Sequence, residues 1–428
     1  HPPPTYVFTG DRRRIEPYVY AYTMHCKGRW CGRKPDEVFG TEFKMNPPSY
    51  YEEALQDGRI TVNDALWDGQ STLRQGDVIR HLAHRHEPPV PRGPIRVVGL
   101  TENAFAVDKP PGLPMHPCGS YHHNTLTSLL REDFTTRSFV CADGVDWEEA
   151  QRAARAGLRQ VHRLDRLTSG LVIFARSAAA ARTLCEDIGQ GRTQKTYVAR
   201  VRGCFPDDAP VVRPEKRPRT DELADGSWRV DGDWVEVSCS LRTASHRDGV
   251  CECAPGAEDA KAARTKFRLV RKLSDGTSIV ECRPQTGRTH QIRLHLQFLN
   301  HPIANDPCYG GELGFAGSSL VDEPPPASSE VLDPAGPRRL NESDAAFVRR
   351  KCARCAAKLD VVDAAEERAS CVFLHARSYA GPGRGRRVRG RWLVVLWWPA
   401  AADMRRRLCH AGGDDQADCA NCMSVCGV

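Results

Sequence analysis

The sequence predicts a mixed α+β protein in which a sheet-rich domain follows a small separate module. Three observations lead there. Strand-like segments outnumber helical ones between His84 and Tyr309, several alternate apolar and polar residues as a sheet with one solvated face does, and a helix-and-hairpin pattern precedes them over residues 49–82. The chain has 428 residues, 40% hydrophobic and 27% charged, which is enough for two or three domains. Its longest apolar run, Trp392 to Ala402, contains Pro399 and falls well short of the roughly 18 residues of a bilayer-crossing helix, so none is expected.

Taken in order, residues 1–48 carry no clear pattern and form an N-terminal extension. A small module follows over 49–83. Ser49, with Glu52 three residues later, predicts a capping box behind Pro47 and Pro48, and Gly58 ends that helix. Arg59 to Asn63 alternates, and Leu73 to Ile79 supplies a turn and a second short strand. The main domain spans 84–310, with strands at Phe105–Asp108, Leu171–Ala175, Thr196–Val201 and Ser278–Cys282, and a helix that starts at Ser177 and closes near Gly189. Residues 205–262, with the Pro-rich run Arg213 to Pro218, are expected to be an insertion or a mobile loop, and 311–350 a low-complexity linker. Residues 351–428 form a C-terminal extension, in which Leu374–Tyr379 is a candidate closing strand.

The formal charge is +7, and its distribution matters more than its size. Residues 151–220 hold 15 Lys and Arg against 6 Asp and Glu, a larger excess than the whole chain shows. Such a concentration attracts a polyanion, and nucleic acid is the commonest one in a cell. The 18 cysteines are scattered without a disulfide framework, which predicts reduced thiols in an intracellular compartment, with cytoplasm, nucleus and organelle undistinguished. The sequence begins with His1 rather than Met, so the natural amino terminus is not in view and a transit peptide is not judged from it. Cys352 and Cys355 have the spacing of half a zinc site, as do Cys419 and Cys422 with Cys426, but neither pair has a second half in the sequence, so no metal is expected. His410 is followed by Ala411 and Gly412, which removes the glutamate a zinc deaminase requires.

The informative run is His162-Arg163-Leu164-Asp165-Arg166-Leu167-Thr168-Ser169-Gly170, a polar loop placed just before a buried strand, where a rigid scaffold can present a reactive side chain. This run resembles the catalytic motif of the RluA-type pseudouridine synthases. Val107 to Pro117, Lys195 to Val201, Arg283 to His295, His301-Pro302-Ile303 and Asp306-Pro307 resemble further motifs of that family in the same order, and His84 to Pro89 resembles its eukaryotic branch.

The resemblance implies a pseudouridine synthase fold, with a mixed, largely antiparallel central sheet and a catalytic cleft, preceded by a small RNA-binding module. It implies an isomerase that converts uridine to pseudouridine in RNA, with tRNA the expected substrate class and ribosomal and messenger RNA as alternatives, without a cofactor and as a monomer. Asp165 matches the catalytic aspartate, which acts as a nucleophile at the ribose or as a base. Tyr197 matches the tyrosine that stacks on the flipped uracil and takes a proton from its ring carbon, and Arg293 the arginine that pairs with the catalytic carboxylate. Arg163 matches a residue that fills the space left by the flipped nucleotide. His162, Arg166, Arg288, His290 and Lys109 complete the candidate RNA-binding set. If Thr289 caps a helix, Ile292, Leu296 and Leu299 share one face, while His290, Arg293 and Gln297 share another that faces the cleft. The competing reading is a catalytically silent RNA-binding protein of the same fold, acting as an RNA chaperone.

Overall fold

A computed structural model describes residues 4–9, 12–43, 46–207, 223–245, 249–306, 308–311, 343–352 and 372–381. The cysteine pairs at Cys355, Cys419 and Cys422, the run Arg213 to Pro218 and most of the expected linker lie outside them. The chain forms two compact units, one holding Arg13–Pro89 with part of Glu323–Val362, the other Val90–Asp322 with part of Asp363–Val428. No helix among the described residues is long and apolar enough to cross a membrane.

The chain opens with short strands β1 (Tyr6–Thr9) and β2 (Arg12–Ile15). In the first unit, β3 (Tyr18–His25) pairs antiparallel with β5 (Val78–Arg85), whose other edge takes β4 (Ile60–Val62). Helices α1 (Pro35–Glu42) and α2 (Pro48–Gln56) cover this sheet, burying Val38, Phe39, Tyr51, Ala54 and Leu55 against Trp30, Ile60, Leu73 and Ile79. The unit is therefore larger than the stretch 49–83, because β3 and α1 come from the expected extension. The Ser49 capping box does not form. The helix starts at Pro48 behind Pro47 with no side-chain cap, since a proline at the first turn already has its φ set and lacks only an orphan N–H. A helix at Asp344–Arg350, from the expected linker, seats Phe347 and Val348 on Leu82, Val19 and Ala21.

The second unit begins with the two-residue strand β6 (Val90–Pro91). It then contributes β7 (Ile95–Leu100), β8 (Ala104–Lys109), α3 (Leu126–Glu132), β9 (Phe139–Cys141), α4 (Trp147–Arg155), β10 (Arg159–Gln160), β11 (Ser169–Ala175), α5 (Ala178–Gly189) and β12 (Gln194–Arg202). Next come β13 (Ser227–Asp231), β14 (Trp234–Ser238), the hairpin β15 (Leu241–Ser245) and β16 (Val250–Cys253), β17 (Arg264–Lys272), β18 (Thr277–Pro284), α6 (Gln291–Phe298) and β19 (Leu374–Ala380). Eleven strands make one sheet, ordered β13-β14-β17-β18-β12-β19-β11-β8-β7-β9 with β10 beside β11. Only β11–β19 and β7–β9 are parallel, so the sheet is mixed and largely antiparallel.

Each helix start has a local cause. Thr125, Asp146 and Ser177 accept hydrogen bonds from the backbone N–H groups of Ser128, Glu149 and Ala180. The central strands are covered on both faces, so Gly170 to Ala175 and Lys195 to Val201 are buried without a break. The described part of the insertion at 205–262 is strand rather than mobile loop: β13 and β14 extend the sheet, and β15–β16 packs Leu241 and Cys251 against Leu294 and Tyr309. The strand expected at Leu374–Tyr379 forms as β19, and it runs inside the sheet between β11 and β12, parallel to the first and antiparallel to the second.

Candidate active site

The loop before β11 is held so tightly that Asp165 has little freedom beyond its own side chain. Leu164 and Leu167 are buried anchors on either side of it. The Arg166 carbonyl accepts from the Gly112 backbone N–H at 2.8 Å and from Lys109 Nζ at 3.1 Å. Lys109 is wholly buried and also donates to the carbonyls of Pro110 and Leu113, at 3.0 and 2.9 Å. Burial draws its pKa down to about 7 while Asp165 opposes that, and three carbonyl acceptors suit the three hydrogens of the ammonium form. Lys109 is thus corrected from an RNA contact to a positioning residue. At the far end of the loop Gly170 has φ +115°, and a Cβ there would stand 2.4 Å from the Ala376 carbonyl oxygen on β19. Only glycine lets β11 and β19 approach this closely.

Asp165 is 23% exposed, and two groups face the same carboxylate oxygen: Arg293 Nη1 and His290 Nε2, each at 3.7 Å. The closer partner of Arg293 is Asp306. Nε and Nη2 donate to its two carboxylate oxygens at 2.7 and 2.8 Å, with both side chains buried. Burial works against the guanidinium charge, but the Asp306 hydrogen bonds and the charges of Asp306 and Asp165 outweigh it and raise the pKa. Asp306 therefore fixes the direction of Arg293, and the outer nitrogen Nη1 is left toward Asp165. The Cβ of any residue at 311 would lie 2.2 Å from the Asp306 backbone nitrogen, so Gly311 permits the turn that holds this carboxylate.

His290, expected among the RNA contacts, stands beside Asp165. It occupies the N-cap position of α6 with left-handed φ 58°, so the helix starts after His290 and not at a Thr289 cap. Its Nδ1 lies 2.6 Å from the Tyr309 hydroxyl, and burial lowers its pKa against the opposing pull of Asp165. Tyr309 also lies under the Arg293 guanidinium, at 4.7 Å from ring centroid to carbon. The expected split of α6 into an apolar and a polar face holds only in part. Ile292, Leu296 and Leu299 are buried, but so are Arg293, Leu294 and His295, while Gln297 is exposed.

Tyr197 is 9% exposed, and its hydroxyl lies 2.8 Å from that of Tyr379 on β19. Burial, with a smaller contribution from the nearby Asp165 charge, pushes its pKa up to about 12, so the hydroxyl is neutral. His162 is another correction. Its Nε2 accepts from the Ile173 backbone N–H at 2.9 Å, its ring packs 4.6 Å from Tyr379, and burial lowers its pKa to about 4, so it is a neutral pin for the loop. Arg163, Arg166 and Arg288 are exposed, as RNA-contacting residues must be. Arg166 Nη1 reaches the Tyr121 hydroxyl at 3.5 Å, and Arg288 donates to the Ala262 carbonyl. Sequence reasoning missed the roles of Asp306, Tyr309 and Tyr379. Asp306 stood in the Asp306-Pro307 motif and Tyr379 in the candidate strand, but no spacing tied either to the centre.

A part-exposed carboxylate on a pinned loop thus lies 3.7 Å from a buried arginine at the middle of a mixed sheet, with a buried tyrosine near enough to feel its charge. The profile of the RNA pseudouridylate synthase family matches residues 103–298, and the chain belongs to that family. RNA pseudouridine synthase 7 of Oryza sativa is 33% identical over 392 residues, covering 88% of each chain. Pseudouridylate synthase RPUSD2 of Mus musculus is 37% identical over 308 residues, covering 71% of this chain and 47% of its own. The mitochondrial tRNA pseudouridine(32) synthase of Saccharomyces cerevisiae is 35% identical over 323 residues, covering 74% and 60%. The chain thus spans about half to three-fifths of the length of the mouse and yeast proteins.

Proposed function

We propose that this chain isomerises uridine to pseudouridine within RNA, with Asp165 as the catalytic carboxylate and tRNA as the substrate class. The observation that carries the reading is the part-exposed Asp165 carboxylate with Arg293 at 3.7 Å and a buried Tyr197 nearby. The reaction exchanges one bond for another. The bond from the ribose to the base nitrogen breaks, the uracil turns, a carbon–carbon bond forms to the same ribose, and a proton moves from the base carbon to the freed nitrogen. Asp165 adds to the ribose or removes a ribose proton, and both routes need an anion aimed at the sugar. Arg293, 3.7 Å away, orients the carboxylate. Tyr197 is the aromatic ring assigned to stack on the flipped base, with its hydroxyl held by Tyr379. The names of the yeast and rice relatives support RNA, and the yeast name supports tRNA. The basic stretch 151–220, with exposed Arg163 and Arg166, supports a polyanionic substrate, and the first unit is assigned to RNA binding.

Asp165→Asn tests the reading. It preserves size and removes the charge, so conversion of uridine in tRNA transcripts should fall at least about a thousandfold while RNA affinity at fixed salt is retained. Undiminished conversion would remove Asp165 from the chemistry. A wild-type chain that binds RNA and converts none would point to the chaperone instead.

A further inference from the structure

β5 ends in a His-x-His pattern, and residues two apart on an extended strand point to the same side. His84 lies within the strand and His86 just past its end. Phe347 and Val348 fix the helix Asp344–Arg350 on the same unit, and Cys352 follows that helix directly. Residues 266 positions apart in the chain are thereby brought together. His86 Nε2 lies 3.2 Å from His84 Nδ1 and 3.2 Å from Cys352 Sγ. The three atoms all lie within 4.8 Å of one another, and all three side chains are part-buried.

We propose that His84, His86 and Cys352 form a binding site for a zinc-class divalent metal ion that ties residues 343–352 to the end of β5. Two imidazoles and a thiolate are a donor set that suits zinc. Around a tetrahedral ion with bonds of roughly 2.0–2.3 Å, neighbouring donors stand roughly 3.3–3.7 Å apart, close to the spacing here. Hydrogen bonding alone serves the cluster less well. The Nε2 of a neutral imidazole carries either one hydrogen or one lone pair, yet His86 Nε2 has two such neighbours at equal distance. A metal ion uses the lone pairs of all three atoms at once. The Arg349 charge near His84 opposes a cation, and the Cys352 thiolate offsets it. The proposal gives Cys352 the complementary half that its sequence spacing lacks, in the His84–His86 pair. Cys355, at the Cys-x-x-Cys spacing, lies outside the described residues, and the proposal rests on the three.

The test uses the purified full chain loaded with zinc, desalted, and alkylated with iodoacetamide, with labelling followed at the Cys352 peptide by mass spectrometry. Zinc should slow labelling of Cys352 by more than an order of magnitude, a chelator should restore it, and exposed Cys185 should label at the same rate throughout. Cobalt in place of zinc should give a thiolate-to-metal charge-transfer band that is lost in Cys352→Ser and weakened in His86→Gln. Cys352 labelling that is equal with and without zinc overturns the site in the unaltered protein. So does a cobalt band that survives Cys352→Ser. Neither result bears on the isomerase, whose residues lie in the other unit.

Discussion

At the scale of single residues, one buried ion pair decides where the central arginine points. Asp306→Asn leaves Arg293 buried with half its partner gone, which should cost about 3 kcal/mol of stability, near the lower end for breaking a buried pair. Turnover should fall with RNA affinity unchanged, because the guanidinium loses its fixed direction toward Asp165. Urea denaturation and single-turnover conversion check this, and a variant as stable and active as the parent would show that something else aims Arg293. Tyr197→Phe separates two tasks. A hydroxyl with its pKa near 12 is a poor base, so the substitution should slow turnover by no more than about tenfold. A loss beyond about a hundredfold would restore Tyr197 as the group that takes the proton from the base carbon.

At the scale of elements, the contact between β11 and β19 is the most demanding. Gly170→Ala puts a methyl group into the Ala376 backbone at a positive φ and should destabilise the unit by about 3 kcal/mol or more. Gly232→Ala, at φ 58° in the β13–β14 turn with open space around it, should cost only about 1 kcal/mol. Equal thermal shifts for the two would show that the close approach is unimportant. The strands around the site were legible in the sequence, because β8 and β11 hold the apolar runs Ala104–Val107 and Leu171–Ala175, β12 and β18 hold the short strand-forming runs Tyr197-Val198-Ala199 and Ile279-Val280, and Ser177 is a side-chain cap with a recognisable helix behind it. Asp165, Arg293 and Tyr197 were legible from their motifs. Much of the remainder lacked a local signal: α1 offers a period only Val38 and Phe39, β19 is bounded by segments that resemble linker, and nothing near Lys109 in the sequence says that its charge is spent on three carbonyls. β3 is different, since its Tyr18, Val19, Tyr20 and Tyr22 are strand-forming residues that a closer reading of the extension would have caught. His290 looked basic, and only its left-handed backbone turns it toward Asp165.

For the whole molecule, buried histidines set the response to acid. Burial holds His81, His162 and His295 at about 4, below the 6.5 of an exposed imidazole. Between these values the unfolded chain binds protons that the folded chain refuses, so stability present at neutral pH is lost as the pH falls through that window. Each such group adds up to ~1.4 kcal/mol per pH unit to the slope. Denaturation midpoints should therefore drop steadily from pH 6.5 to 4.5. His295→Gln should be less stable at neutrality, yet its deficit relative to the parent should narrow in acid. A midpoint independent of pH over this range would mean that these side chains are protonated inside the fold.

The position of β19 carries a consequence for how the chain is made. β9, β7, β8 and β11, with the Asp165 loop, form one half of the sheet, while β12, β18, β17, β14 and β13, with Tyr197 and the adjoining Arg293 helix, form the other. Among the described strands, β19 alone pairs with both β11 and β12. During synthesis at ~5–20 residues per second, the stretch between Phe298, where the second half is complete, and Leu374 takes on the order of four to fifteen seconds to emerge. Throughout that interval each half presents an unpaired edge to its neighbours. The acid and its arginine partner are thus joined across the sheet by the last of the described strands to leave the ribosome, and a nascent chain stalled before it would hold both halves of the site without the strand that unites them.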